Sequence, residues 1–162
     1  MKEEIINQFK ASIKMLIDTI GKCPDSLWND ERFDNKYWHI VYHTLFYASL
    51  YLSNTLEEFI PWEKHKENYN LLDSRTRDNV PIVIDSYFSK DEMIDYAGQV
   101  IKKIELSINE NQFNEPGGFY WLKMTRLGVQ IYNIRHVQHH TGQLIERLRH
   151  EGVTGIKWEA TG

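Results

Sequence analysis

The chain carries near its end the segment Arg135-His136-Val137-Gln138-His139-His140-Thr141-Gly142-Gln143-Leu144, in which His136 and His140 lie four residues apart. Much earlier in the chain, His39 and His43 repeat this spacing. Residues four apart lie one turn above each other on the same helix face, with Cβ atoms about 5–6 Å apart. Two such helices side by side suit imidazoles that converge on one cation. The pattern therefore predicts a helical protein that binds a metal ion.

Both histidine pairs lie within stretches of helical periodicity. A helix is expected around the later pair, from about Lys123 to the residue before Gly152, with an aliphatic stripe opposite the histidines. A helix around the earlier pair is expected from about Asn35 to about Ile60. Its apolar residues occur on all sides, which is typical of a central helix. The stripe on the later helix is formed by Leu127, Ile131, Ile134 and Ile145.

Two further helices are predicted on either side of the earlier histidine pair. The first has apolar residues at three- and four-residue steps from Ile5 to Ile20. Another begins after Ser89, where Glu92 completes a capping-box pattern. The long connection 61–89 precedes it, and residues 82–88 are expected to form a short element there. The pattern predicts an all-α antiparallel four-helix bundle with a long connection between the second and third helices.

Composition limits the class of protein. With 162 residues, of which 41% are hydrophobic, the chain 1–162 is expected to form a single domain. Its 19 basic and 23 acidic residues are scattered, so no basic stripe for nucleic acid is present. One cysteine and an acidic start favour a cytoplasmic location. No apolar run approaches the roughly 20 residues that cross a bilayer, so no membrane span is expected.

The run Trp38-His39-Ile40-Val41-Tyr42-His43-Thr44-Leu45-Phe46-Tyr47, with Trp28 before it and the segment 136–144 after it, resembles the DinB/YfiT-like superfamily of metalloenzymes. The resemblance extends from the first helix to the end of the fourth. It implies a four-helix bundle, usually dimeric, with a divalent metal held by one histidine of the second helix and a His-x-x-x-His pair of the fourth. His43, His136 and His140 match these ligands. His39 is an additional candidate, either an alternative ligand or a neighbour of the site.

Three neutral imidazoles suit zinc and nickel, with iron and copper as alternatives, and a fourth position left open would permit chemistry. The resembling superfamily includes transferases that activate a low-molecular-weight thiol such as bacillithiol or mycothiol. The resemblance thus implies a metal-dependent enzyme, an S-transferase that acts on small electrophiles. The alternative is a non-catalytic metal-binding module of a stress response. A ferritin-like di-iron site is disfavoured because the chain contains no Glu-x-x-His motif.

Other residues near these motifs have expected roles. Gln143 lies three residues after His140 on the same face, where it either orients a ligand or is an ordinary exposed residue. His65 and His150 are expected to face solvent. The aliphatic stripes opposite the histidines predict a homodimer that buries them. Alternatively, the connection 61–89 and the tail around Trp158 cover these stripes within one chain.

Overall fold

The computed structural model describes all 162 residues, and its regular structure consists of helices without named strands, as expected for an all-α chain. No helix combines the length and the apolar character that a membrane crossing requires. Buried side chains from all four long helices form one continuous hydrophobic core. The elements are α1 (Lys2–Lys22), the short α2 (Asp25–Trp28), α3 (Tyr37–Leu50), α4 (Lys90–Ser107), a 3₁₀ turn (Glu110–Gln112) and α5 (Arg126–His150).

Local hydrogen bonds explain where α4 and α5 begin. The Ser89 side chain accepts from the backbone N–H of Glu92, and the Glu92 carboxylate accepts from the backbone N–H of Ser89. The predicted capping box is therefore confirmed. The side chain of Thr125 accepts from the N–H of Gly128, so that α5 begins at Arg126, slightly later than the sequence pattern suggests. Each cap satisfies an N–H group that has no partner within its own helix.

The predicted end of the second helix at Ile60 is wrong, because α3 ends at Leu50. Apolar residues continue beyond this point, so periodicity alone does not reveal the end. Side chains of α4 and α5 donate hydrogen bonds to carbonyl groups at this end of α3, where a further turn would otherwise supply backbone N–H donors. These bonds run from Asn133 to Ala48, from Lys103 to Ser49, from Gln130 to Tyr51 and from Arg126 to Ser53.

The contacts between α3 and α5 show that the two helices are antiparallel, because early residues of one helix meet late residues of the other. Arg147 donates to the carbonyl of Asn35, just before α3, and Asn133 donates to that of Ala48 near its end. His43 and His136 meet between these two contacts. The two helices therefore run in opposite directions, which places their histidines at the same level.

α3 and α4 run in the same direction, contrary to the expected antiparallel order of neighbours. Tyr42 contacts Phe88 and Tyr96 at ring-centroid distances of 4.9 and 6.2 Å. Further along both helices, the Lys103 ammonium lies 2.9 Å from the carbonyl oxygen of Ser49. Because the two helices are parallel, the chain that leaves the end of α3 must run back along the whole length of α3 before α4 begins. This geometry accounts for the long connection between the two helices.

That connection departs from expectation in two places. Residues 82–88 form no helix or strand, whereas residues 74–82 form a tight turn with an isolated bridge between Arg75 and Pro81. His65 does not face solvent freely, because its Nδ1 lies 2.6 Å from the buried Tyr42 hydroxyl. The C-terminal tail runs back along α1. Trp158 is 78% exposed, whereas Val153 and Ile156 of the tail pack against the core. His150 is exposed, as predicted.

Candidate metal centre

Three histidines from two helices meet beside the core. α3 supplies His43, and α5 supplies His136 and His140 on consecutive turns. One ligand nitrogen of each lies within 4.8 Å of the other two, which makes this a group that could hold a metal ion. The opposite directions of α3 and α5 bring these distant residues together.

A backbone carbonyl sets the orientation of His43. Its Nδ1 lies 2.7 Å from the carbonyl oxygen of Asn70. A carbonyl oxygen only accepts, so Nδ1 carries the proton and Nε2 keeps a lone pair. The lone pair of Nε2 is therefore available to a ligand on the side of His136. Histidine ligands of metals commonly donate their other N–H group in this manner.

His140 has a similar partner, whereas His136 does not. The Nδ1 of His140 lies 2.8 Å from Oε1 of Gln143, one turn further along α5. With the amide oxygen as acceptor, His140 also keeps its lone pair on Nε2. Nδ1 of His136 is buried and has no hydrogen-bond partner within the chain. Two of the three imidazoles are thus oriented by hydrogen bonds to groups outside the cluster, whereas the polar contact of His136 is with His43 itself.

The distance between the Nε2 atoms of His43 and His136 is 3.2 Å. Two nitrogen ligands on one tetrahedral zinc ion, each about 2.0–2.1 Å from it, lie about 3.3–3.4 Å apart. The spacing therefore fits a shared cation with little movement. It also fits an N–H···N hydrogen bond from His136 to His43 in the metal-free chain. The donor set, three imidazole nitrogens with no carboxylate or thiolate, is suited to a borderline cation such as zinc or nickel.

Burial keeps these imidazoles neutral. It lowers the pKa of His43 to about 4 and that of His136 to about 3, and the neighbouring histidines contribute to both shifts. The pKa of His140 is also lowered, mainly by burial, although its hydrogen bond with Gln143 opposes the shift. A neutral imidazole is the form that binds a metal. Protons therefore do not compete for these nitrogens at neutral pH.

The histidine cluster lines one side of a cavity of about 620 Å³. Aromatic residues form much of its wall. The Tyr47 ring lies 4.8 Å from that of His43, and the Tyr51 ring lies 5.5 Å from that of Tyr132. Nε1 of Trp121 donates to the Tyr51 hydroxyl at 3.3 Å, which ties the segment before α5 to this wall. A molecule in the cavity would contact the imidazoles and the aromatic rings together.

The remaining predicted site residues lie at the edge of this arrangement. His39 is buried one turn before His43, and its Nε2 lies 2.8 Å from the carbonyl oxygen of Tyr69. It is not among the three histidines whose nitrogens converge. Gln143 contacts His140 while remaining exposed to solvent. The carbonyl of Asn70 escaped sequence reasoning, because a backbone acceptor has no side-chain signature.

Comparison with known proteins identified no relative of this chain. The three histidines, their orienting groups and the adjoining cavity are properties of this chain's own fold. Neither a protein-family model, nor a curated protein, nor a solved structure matches the chain.

Proposed function

We propose that His43, His136 and His140 bind one divalent metal ion and that the protein is a DinB/YfiT-like metal-dependent enzyme with a four-helix bundle fold. The single observation that carries the proposal is the approach of three neutral imidazoles, two of them 3.2 Å apart, at the wall of a cavity. Three protein ligands leave room for a further ligand on the cavity side. An open position of this kind is typical of catalytic rather than structural sites.

Each residue of the cluster has a defined task in this proposal. The Asn70 carbonyl and the Gln143 amide hold the protons of His43 and His140 on Nδ1, so that both Nε2 atoms are free to coordinate. The aromatic wall excludes bulk water and contacts the substrate. A divalent cation held by these imidazoles would act as a Lewis acid and lower the pKa of a water or a thiol beside it.

The proposed reaction class is transfer of a low-molecular-weight thiol to a small electrophile. Its sulfur would form a bond to the electrophilic carbon, the leaving group would depart with its electron pair, and the thiol proton would pass to solvent. No thiol of the chain serves this role. Cys23 is buried, and its pKa is raised to about 12 by burial, so that it is a poor nucleophile.

Metal content tests the site. The protein would be loaded with zinc or nickel, dialysed and analysed for metal by elemental analysis. We expect one ion per chain in the wild type and in His150→Ala, which removes an exposed histidine at the end of α5. His43→Ala, His136→Ala and His140→Ala should each lose the ion. Full metal content in any of these three variants would remove that histidine from the proposed site.

Turnover tests the reaction class separately from metal binding. Bacillithiol, mycothiol and simpler thiols would be screened with 1-chloro-2,4-dinitrobenzene, and adduct formation followed by absorbance. We expect metal-dependent turnover with at least one thiol, and its loss in His140→Ala. A protein that binds one metal ion but accelerates no thiol transfer would support the alternative, a metal-binding module of a stress response.

A further inference from the structure

Besides the neutral imidazoles, the cavity beside the histidines has one residue with a charged side chain on its wall. This residue is Arg77, which is also exposed to solvent. No carboxylate lines the cavity. The arginines that form ion pairs in this chain are Arg32 and Arg149, so the charge of Arg77 is not neutralised by an acidic partner. The cavity therefore combines an apolar aromatic wall with a single free positive charge.

A tight turn within the long connection carries Arg77 to this position. The bridge between Arg75 and Pro81 closes the turn, and the N–H of Thr76 donates to the carbonyl of Val80 at 2.9 Å. Asn79 adopts a left-handed conformation with φ of 63°, which asparagine tolerates better than most residues. Backbone hydrogen bonds thus define the turn, and Arg77 at its tip lines the cavity.

We propose that the cavity binds a small molecule with an apolar, ring-sized body and an oxyanionic group, and that Arg77 binds this oxyanion. The proposal deepens the metal-dependent function, on which it rests for the position of the reacting end near the imidazoles. A guanidinium group presents a planar set of N–H donors that matches a carboxylate or a phosphate. The aromatic wall at Tyr47, Trp121 and Tyr132 favours a flat apolar body.

Size and charge define the ligand class further. A cavity of about 620 Å³ lies within the range of about 300–1,000 Å³ that is common for small-molecule sites. A cationic ligand would meet the positive charge of Arg77 with no carboxylate on the cavity wall, which disfavours its binding. Neutral ligands would leave Arg77 without a charged partner. Among molecules of similar shape, those with an oxyanion should therefore bind most tightly.

A matched pair of probes tests this preference. 3-Phenylpropionate and 3-phenylpropan-1-ol share one apolar body and differ in the charged group. Dissociation constants would be measured by NMR titration of the full chain, in metal-free and in zinc-loaded form. We expect the carboxylate to bind about tenfold more tightly than the alcohol in the metal-free protein, where it has no cation to coordinate. 2-Phenylethylphosphonate, which has the same two-methylene spacer as 3-phenylpropionate, would show whether a phosphonate is preferred to a carboxylate.

Variants of Arg77 assign the preference to that residue. Arg77→Gln should reduce it to about twofold or less, and Arg77→Lys should retain part of it, because charge remains but the planar donor set is lost. Arg135→Gln removes the same charge from an exposed position on α5 that does not line this cavity, and should leave the preference unchanged. Spectra that are unchanged away from the substituted residue would show that each variant remains folded.

The outcomes separate this inference from the metal proposal. Equal affinity for the two probes in the wild type, no binding of either, or full preference in Arg77→Gln would each overturn the role of Arg77, whatever the metal content. Arg77→Gln should still bind one zinc ion. A chain that shows the carboxylate preference but binds no metal would support the oxyanion site and contradict the proposed metal function.

Discussion

Nδ1 of His43 lies 2.7 Å from the carbonyl oxygen of Asn70, a residue of the long connection between α3 and α4. One turn earlier on α3, Nε2 of His39 lies 2.8 Å from the carbonyl oxygen of Tyr69. Two successive carbonyl groups thus engage two successive turns of the helix. The connection is therefore part of the candidate metal site, because it orients a histidine of that site without contributing a ligand of its own.

Gln143 is expected to act on the metal through His140. Its Oε1 accepts from Nδ1 of His140 at 2.8 Å, and loss of such an outer partner typically weakens metal binding by about 10–100-fold. We expect this loss in Gln143→Ala, measured by competition for zinc with a chromophoric chelator. Gln143→Glu should retain affinity because it keeps an oxygen acceptor. Gln99→Ala, at an exposed position on α4, is the control, and unchanged affinity in Gln143→Ala would make Gln143 an ordinary surface residue.

His39 is expected to stabilise the connection rather than to bind metal. In His39→Phe, the carbonyl of Tyr69 loses a buried donor, which costs about 1–3 kcal/mol of unfolding free energy. Urea denaturation would measure this loss, and elemental analysis should show full zinc content. His150→Phe, at an exposed site, should change neither quantity. Loss of zinc from His39→Phe at undiminished stability would instead identify His39 as a ligand.

The stability of the metal-free protein is expected to fall as the pH falls below about 6.5. Burial lowers the pKa of His43 to about 4 and that of His136 to about 3, whereas an unfolded chain binds these protons near pH 6.5. Between these values the unfolded state holds more protons, so the free energy of unfolding decreases with decreasing pH. The slope should approach about 1.4 kcal/mol per pH unit for each of the two imidazoles.

Urea denaturation at several pH values between 7 and 4 measures this slope. Carboxylates also titrate at the lower end of this range, so variants provide the comparison. The double variant His43→Gln/His136→Gln should show a flatter dependence on pH, whereas His150→Gln should match the wild type. An identical slope in the double variant would show that the buried imidazoles do not govern the acid sensitivity.

We also propose a homodimer formed through the face of α5 that carries the aliphatic stripe. Ile131 is 46% exposed at its centre, whereas Leu127 and Ile134 beside it are half-buried against the core. Light scattering at micromolar concentration should give twice the chain mass of 19.3 kDa. Ile131→Glu should give a monomer, because a charge would enter the buried patch. Leu106→Glu, on α4 and 86% exposed, is the control, and a wild-type mass near that of one chain would contradict the dimer.

Local spacing alone determined much of this protein. Residues four apart share a helix face whatever surrounds them, so both histidine pairs could be identified as ligand candidates without coordinates. The choice of His43 over His39 rested on the family resemblance and not on spacing. The capping box at Ser89 was equally readable, because its two hydrogen bonds join residues three apart. Both features depend only on the identity of side chains three or four residues apart in the sequence.

Only the tertiary structure decided where α3 ends, which direction α4 takes and which groups orient the histidines. α3 ends where side chains from α4 and α5, such as Lys103 and Arg126, bind its last carbonyl groups. The proton of His43 is placed by the Asn70 carbonyl, and Arg77 reaches the cavity through a turn in the same connection. Backbone carbonyls are the same in every residue, so their partners depend on how distant segments pack and leave no pattern in the sequence.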